Sequence, residues 1–401
     1  MRESDSQRVV AEIQGIYGPF VFSERLFQKI WMEGAFDQSR LTTLAGSRVE
    51  VLTLGTWNQL GGPDFKRARL RFDHGKAAVG DVELHLRAED WDAHHHVRDP
   101  AYVNVKLHVV LFPPRPGHVT IGFDGLPIPI LTLLPWLPYD LEEYAAEEAV
   151  ATLADRATTR LTDLVRRMPS TNLEQWLNEF ARKRWEQKVH FARLKIERVG
   201  WAEACHQTAM EVLGYRFNRV PMLRLAMQYP LGQWATVGDD ELARRLAEED
   251  DRWTKAGVRP ANHPRVRLRQ YRDWAVGAPD WPDRLAELGP TLPRPSIDAP
   301  TASVRKEYGL AALRNQLADR LANHAVGGTR WDTLISDGFW PLLASRVGID
   351  LAGLWYHWYP GDLPETLVKV LRQTGRFRRP AAPACHGPVQ GLIGWLVTQE
   401  S

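Results

Sequence analysis

Gly61-Gly-Pro-Asp-Phe-Lys-Arg-Ala-Arg-Leu-Arg-Phe-Asp-His-Gly-Lys-Ala-Ala-Val-Gly-Asp-Val-Glu-Leu-His85 is the stretch that decides how this chain is read. From Phe65 to Phe72 apolar Ala68, Leu70 and Phe72 alternate with Arg67, Arg69 and Arg71, the period of a half-buried strand. Asp73-His74-Gly75-Lys76 supplies turn residues, and Ala77 to Leu86 forms a second strand running back. Side chains two apart on a strand share a face, so Glu83 and His85 project together while Val82, Leu84 and Leu86 face a core. Asp64 opens the first strand beside them, and the three polar side chains are expected to converge.

Working outward, Ser23 caps a helix whose apolar face is Leu26, Phe27, Ile30 and Trp31, and Gly34 ends it. Val49, Val51 and Leu54 mark a strand that stops at Gly55, and a polar loop runs through Asn58 to Gly62. After the hairpin, residues 88–97 read as a short helix, and 103–112 as a strongly β-forming run that ends at Pro113-Pro114. A hairpin around Gly122 to Gly125 precedes Leu131 to Leu134. The order helix, three strands, helix, strand predicts an α/β domain over residues 1–138, a mixed sheet with flanking helices.

Beyond it the spacing turns helical, near residues 139–168, 173–199, 201–213 and 220–227. After a Pro-rich break at 279–300 it resumes near 304–325, 331–347, 364–373 and 388–398. Residues 139–401 are therefore expected to form a larger all-α domain, without a repeat of fixed period. Its Trp residues, among them Trp176, Trp185, Trp331 and Trp340, fall at helical spacing and read as core.

The 401-residue length favours two domains. No run of 18 apolar residues occurs and the start, Met-Arg-Glu-Ser-Asp-Ser, is polar, so a cytoplasmic protein without a membrane span is expected. With only Cys205 and Cys385, far apart, neither a disulfide framework nor a thiolate zinc site can be built. Any metal must bind through oxygen and imidazole. A net charge of +2 gives no global basic signature, which leaves a local patch as the route to nucleic acid.

Asp64 and Glu83 suit a hard divalent cation, Mg or Mn, which takes one or two carboxylates together with water and substrate phosphate. His94, His95, His96 and Asp99 form a second polar cluster, read as a metal-binding His-rich tract, as an exposed turn or, for His94 and His96, as contacts to substrate phosphate in the same cleft. Asn58 and Gln59 are candidates for the cleft wall. Arg259-Pro-Ala-Asn-His-Pro-Arg265 and Arg376-Phe-Arg-Arg379 are the densest basic stretches of the helical region, with Arg259 and Arg265 as candidate substrate contacts or, alternatively, as a solvated helix face.

Pro63-Asp64 opening the second strand and Glu83-Leu84-His85 on the third resemble the PD-(D/E)XK nuclease core. That resemblance implies a restriction-endonuclease-like fold, Asp64 and Glu83 as metal ligands, and Glu24 as the acidic helix residue that joins the metal shell. His85 stands where a Lys is expected, and is read as a third ligand or a proton-handling group. Phe27 to Trp31, Gly55 to Phe65, Gly80 to Arg87 with Asp90-Trp91, His94, His96, Asp99 and Tyr102, Asn104 to Val110, and Arg259 to Arg265 together resemble the DUF2851 family, in which His is the usual third residue of the Glu-x-His segment. Several closely spaced cysteines near the end of many members are missing here. The leading expectation is a metal-dependent phosphodiesterase acting on nucleic acid. The alternative is a catalytically silent nuclease-like domain that binds nucleic acid or a protein partner, and a third reading is purely structural.

Overall fold

The computed structural model describes residues 10–15, 18–167, 173–249, 252–256, 258, 260–363, 365–374 and 385–400. The chain divides into two compact units, Met1–Glu148 and Ala149–Ser401.

The first unit is an α/β fold. A hairpin of β1 (Val10–Gly15) and β2 (Gly18–Ser23), which the sequence reading missed, leads directly into α1 (Glu24–Glu33). Ser23 caps α1 by accepting from the Leu26 amide, and Gly34 closes it at φ 62°. Leu26, Phe27, Ile30 and Trp31 are buried, as their spacing requires.

Next come β3 (Val49–Thr53), β4 (Thr56–Trp57), β5 (Phe65–Phe72) and β6 (Ala78–His85), followed by the short α2 (Asp90–Ala93) and β7 (Val105–Val110). A small hairpin, β8 (Thr120–Ile121) with β9 (Pro127–Ile128), precedes β10 (Ile130–Thr132). The sheet runs β10-β7-β6-β5-β3, with β4 also on β5. Pairings of β3, β5 and β6 are antiparallel, whereas β6–β7 and β7–β10 are parallel. This is the expected mixed sheet, with helix, three strands, helix and strand in order.

Asp73 and His74 both take positive φ, 45° and 60°, so the β5–β6 turn twists with its strands. Between Phe65↔Val82 and Ala68↔Gly80 the register shifts, with Lys66 and Arg67 opposing Asp81 alone. At this bulge Arg67 has φ 60° and its amide donates to Asp81 Oδ1 at 3.0 Å. From Gly80 to His85 every residue of β6 is buried. A parallel step from β6 to β7 needs a long crossover, and residues 86–104, carrying α2 and two 3₁₀ turns, provide it.

Helix α3 (Leu141–Asp155) begins in this unit: the Tyr144 hydroxyl donates to Ala35 O at 2.8 Å, and Lys29 pairs with Glu148 at 2.6 Å.

The second unit is larger and helical, from α4 (Thr158–Arg167), α5 (Leu173–Val199) and α6 (Trp201–Gln228) to a closing helix, His386–Glu400. Trp234, Trp274, Trp281, Trp331, Trp340, Trp355 and Trp358 are fully buried in its core, while Trp176 is exposed, contrary to its expected core place. Non-helical dihedrals at Tyr215 and Asn218, just before Pro221, kink α6 where the sequence predicts two helices. The Pro-rich stretch 279–300 is not a plain break: it holds a helix, Trp281–Leu288, with Pro282 in its first turn, where a missing amide hydrogen costs nothing. No described helix is long and apolar enough to cross a membrane.

Candidate metal centre

Continuing the β5–β6 register by one residue sets Asp64 opposite Glu83, and residues directly opposite in an antiparallel pair share a face. The two are interlocked. The Asp64 amide donates to Glu83 Oε2 at 2.9 Å, and the Leu84 amide donates to Asp64 Oδ2 at 3.0 Å. Helix α1 supplies the other side: Gln28 Nε2 donates to Asp64 Oδ1 at 2.7 Å, and Glu24 lies one turn earlier on that face. Glu24 Oε2 is buried without a hydrogen-bond partner among the described residues. An unpartnered, buried carboxyl oxygen beside two further carboxyls suits a cation-binding position.

On the other side of Glu83 lie the histidines. Glu83 Oε1 is 3.3 Å from His96 Nε2 and 3.6 Å from His85 Nε2. His85 Nε2 is in turn 3.2 Å from His94 Nδ1 and 3.3 Å from His96 Nε2. His94 ends α2, and His95, at φ 59°, reverses the chain before the 3₁₀ turn His96–Arg98. That single left-handed residue lets both its neighbours reach His85. Behind them His85 Nδ1 meets His108 Nε2 at 2.9 Å, and His108 Nδ1 meets Thr120 Oγ1 at 2.8 Å. The Tyr102 ring stacks on His96 with centroids 3.9 Å apart, and Trp91 meets His96 edge-on at 5.2 Å.

Burial governs the electrostatics. It pushes Glu24, Asp64 and Glu83 each up to about 8, helped for Glu24 by Asp64, Glu83 and Asp90 and for Asp64 by Glu83. The hydrogen bonds from Leu84 and Gln28 to Asp64, and from the Asp64 amide to Glu83, pull the other way without offsetting burial. Burial likewise lowers His96 to about 4, His108 to about 3, His94 below its ordinary value and His85 well below it. The Tyr102 hydroxyl rises, through burial first and then through Glu83, Asp64, Asp99 and Glu24. In the metal-free centre burial therefore favours protonated acids and neutral imidazoles. A divalent cation would reverse the acids, since its charge favours their ionised form.

Of the candidate residues, Glu24, Asp64, Glu83, His85, His94 and His96 come together. Asn58 instead shapes the loop: its Nδ2 donates to Pro63 O at 2.9 Å and to Gly61 O at 3.2 Å, and its amide donates to Asp64 O at 2.6 Å. Gln59 is exposed in that loop. Arg265 is exposed at the start of the helix Pro264–Gly277 of the second unit. Arg259 and the stretch 376–379 lie outside the described residues.

Sequence reasoning passed over Gln28, His108 and Thr120. Gln28 carried a signal, being four residues from Glu24 on one helix. His108 carried another, as the only ionisable residue facing inward in Val105–Val110, where Lys106 is exposed. Thr120 carried none.

The family model described as "Protein of unknown function (DUF2851)" matches residues 24–246. No curated protein and no solved structure matches the chain. The matched segment takes in every residue of the centre from Glu24 to Thr120 and more than half of the chain, and the protein belongs to the DUF2851 family.

Proposed function

We propose that the protein is a metal-dependent phosphodiesterase acting on nucleic acid. The observation that carries this reading is the convergence of Glu24, Asp64 and Glu83 at one end of β5 and β6, with buried imidazoles beside them. Asp64 and Glu83 would hold Mg or Mn, joined by the unpartnered oxygen of Glu24. When bound, such an ion polarises a phosphoryl oxygen and lowers the pKa of an attacking water.

The protein's own part is positional. Gln28 and the Leu84 amide fix both oxygens of Asp64, so its free lone pairs keep one direction. His85, buried and held neutral, presents Nε2 to a proton or to a metal ion while Nδ1 meets His108. Lys66, Arg67 and Arg69 are exposed on the strand that Asp64 opens, and suit the phosphate backbone of a nucleic acid.

The test is cleavage of single-stranded and duplex DNA and RNA with Mg or Mn, comparing wild type with Asp64→Asn. Metal-dependent product from the wild type, at least a hundredfold reduced in the variant, is expected. Salt-sensitive binding without product under any divalent metal would replace this reading with that of a catalytically silent binding module.

A further inference from the structure

Glu83 is split between two neighbourhoods. Its Oε2 belongs to the carboxylate side, held by the Asp64 amide, whereas its Oε1 faces the histidines. We propose that His85, His94 and His96, with Glu83 Oε1, form a second metal position of different chemistry, tetrahedral and nitrogen-rich, that takes a zinc-class ion. The proposal deepens the reading above, sharing Glu83 with it, but it stands on separate ligand atoms.

The distances carry it. Two ligand atoms about 2.05 Å from a tetrahedral ion lie about 3.3 Å apart. Four edges of such a tetrahedron are present: His85 to His94 at 3.2 Å, His85 to His96 at 3.3 Å, Glu83 to His96 at 3.3 Å and Glu83 to His85 at 3.6 Å. The three histidine ligand atoms all lie within 4.8 Å of one another. The two remaining edges, His94 to His96 and His94 to Glu83, both end on His94, which is exposed and therefore the ligand free to close them and the side from which an ion enters.

Hydrogen bonding explains the arrangement less well. A ring nitrogen has one proton or one in-plane lone pair, never both. His85 Nε2 faces two imidazole nitrogens and a carboxylate oxygen, so at least one contact goes unmatched. The outer partners allow a state that suits a metal ligand. If Thr120 Oγ1 accepts from His108 Nδ1–H, then His108 Nε2 accepts from His85 Nδ1–H, and the lone pair of His85 is left on Nε2, aimed at the cluster. Metal-bound histidines use this same device, donating their other nitrogen to an outer partner. Softness follows from the donors. Three imidazoles and one oxygen favour Zn or Co over Mg, which prefers oxygen ligands.

The test uses Co(II) as a spectroscopic stand-in on the full-length protein after chelator treatment, with folding of each variant checked by circular dichroism. The expected result is an intense visible d–d spectrum of tetrahedral Co(II), displaced by Zn and retained in Asp64→Asn. Binding should weaken at least tenfold in His94→Ala, whose exposed side chain leaves the core intact, and in His96→Gln. Thr120→Val, touching no ligand, should weaken it by about ten- to a hundredfold. A wild type that lacks the tetrahedral spectrum, while Mn still binds in an Asp64-dependent way, overturns the second position alone. A spectrum unchanged in both histidine variants does the same. Histidine-dependent Co(II) binding without nuclease activity would instead retain this site and reject the phosphodiesterase.

Discussion

Replacing Glu83 with Gln is expected to stabilise the metal-free protein at alkaline pH and to remove its response to divalent ions. Glu83 is 4% exposed and its carboxyl is pushed from 4.5 to about 8 by burial. Below pH 4.5 the carboxyl is protonated folded and unfolded, and its contribution is fully present. As the pH rises towards 8 the unfolded chain releases the proton while the folded chain keeps it, and stability drains away by up to roughly 1.4 kcal/mol per pH unit. Across that window the loss sums to about 5 kcal/mol, complete above pH 8. Gln cannot ionise and escapes it. The isostere also keeps local bonding intact: its oxygen can accept from the Asp64 amide, and its NH2 faces ring nitrogens of His96 and His85, now 3.3 and 3.6 Å from Glu83 Oε1.

Urea denaturation of chelator-treated proteins at pH 5, 7 and 9 is the assay. The two should agree within about 1 kcal/mol at pH 5, and the variant should lead by several kcal/mol, with about 5 as the ceiling, at pH 9. With Mn added, the midpoint of thermal unfolding should rise for the wild type only. A stability difference that does not change with pH, or a variant less stable than wild type at pH 9, would refute the claim that burial holds this acid protonated.

Gln28→Ala removes the side-chain clamp on Asp64 while leaving every proposed ligand residue in place, and should weaken Mn binding about tenfold by calorimetry with little change in unfolding midpoint. Because Glu24, Asp64 and Glu83 sit near 8, Mn or Mg must displace protons, so affinity should climb between pH 6 and 8. Calorimetry in buffers of different ionisation enthalpy should register the release; a pH-independent affinity without it would contradict the assignment. In the helical unit, a Cβ on Gly391 would fall on the Leu177 carbonyl, where α5 and the closing helix touch. Gly391→Ala should cost about 3 kcal/mol or more by chemical denaturation, and a neutral result would mean the helices separate freely there.

The sheet and the carboxylate pair were legible because they rest on period-two alternation and on one tight turn. Asp64 and Glu83 meet because a strand, a turn and a return strand leave them opposite each other. The histidines were legible only as residue types. Nothing in His94-His95-His96 announces that His95 will turn left-handed and aim its neighbours together; a regular helix would have splayed them. His108 and Thr120 reach the centre from a parallel strand and a distant hairpin, and pairings across a crossover leave no local pattern. In the helical unit the Trp spacing identified the core, but Trp176 keeps the same spacing and is exposed, because periodicity marks a face without saying whether anything covers it.

The bulge at Lys66 and Arg67 makes strand register a determinant of chemistry. It adds one residue to β5 between Phe65 and Ala68, and one residue is the difference between the two sides of a sheet. Pairing this stretch without the bulge at unchanged length would set Phe65 in place of Asp64 opposite Glu83, with every functional side chain still present in the sequence, whereas deleting Lys66 or Arg67 would remove the bulge and leave Asp64 where it is. An insertion into the turn at Asp73 to Lys76 would leave the pair facing each other. A relative's capacity to hold an ion therefore rests on the register in which its two strands pair, and a changed count between its Asp and its Glu-x-His does not by itself part the two carboxylates.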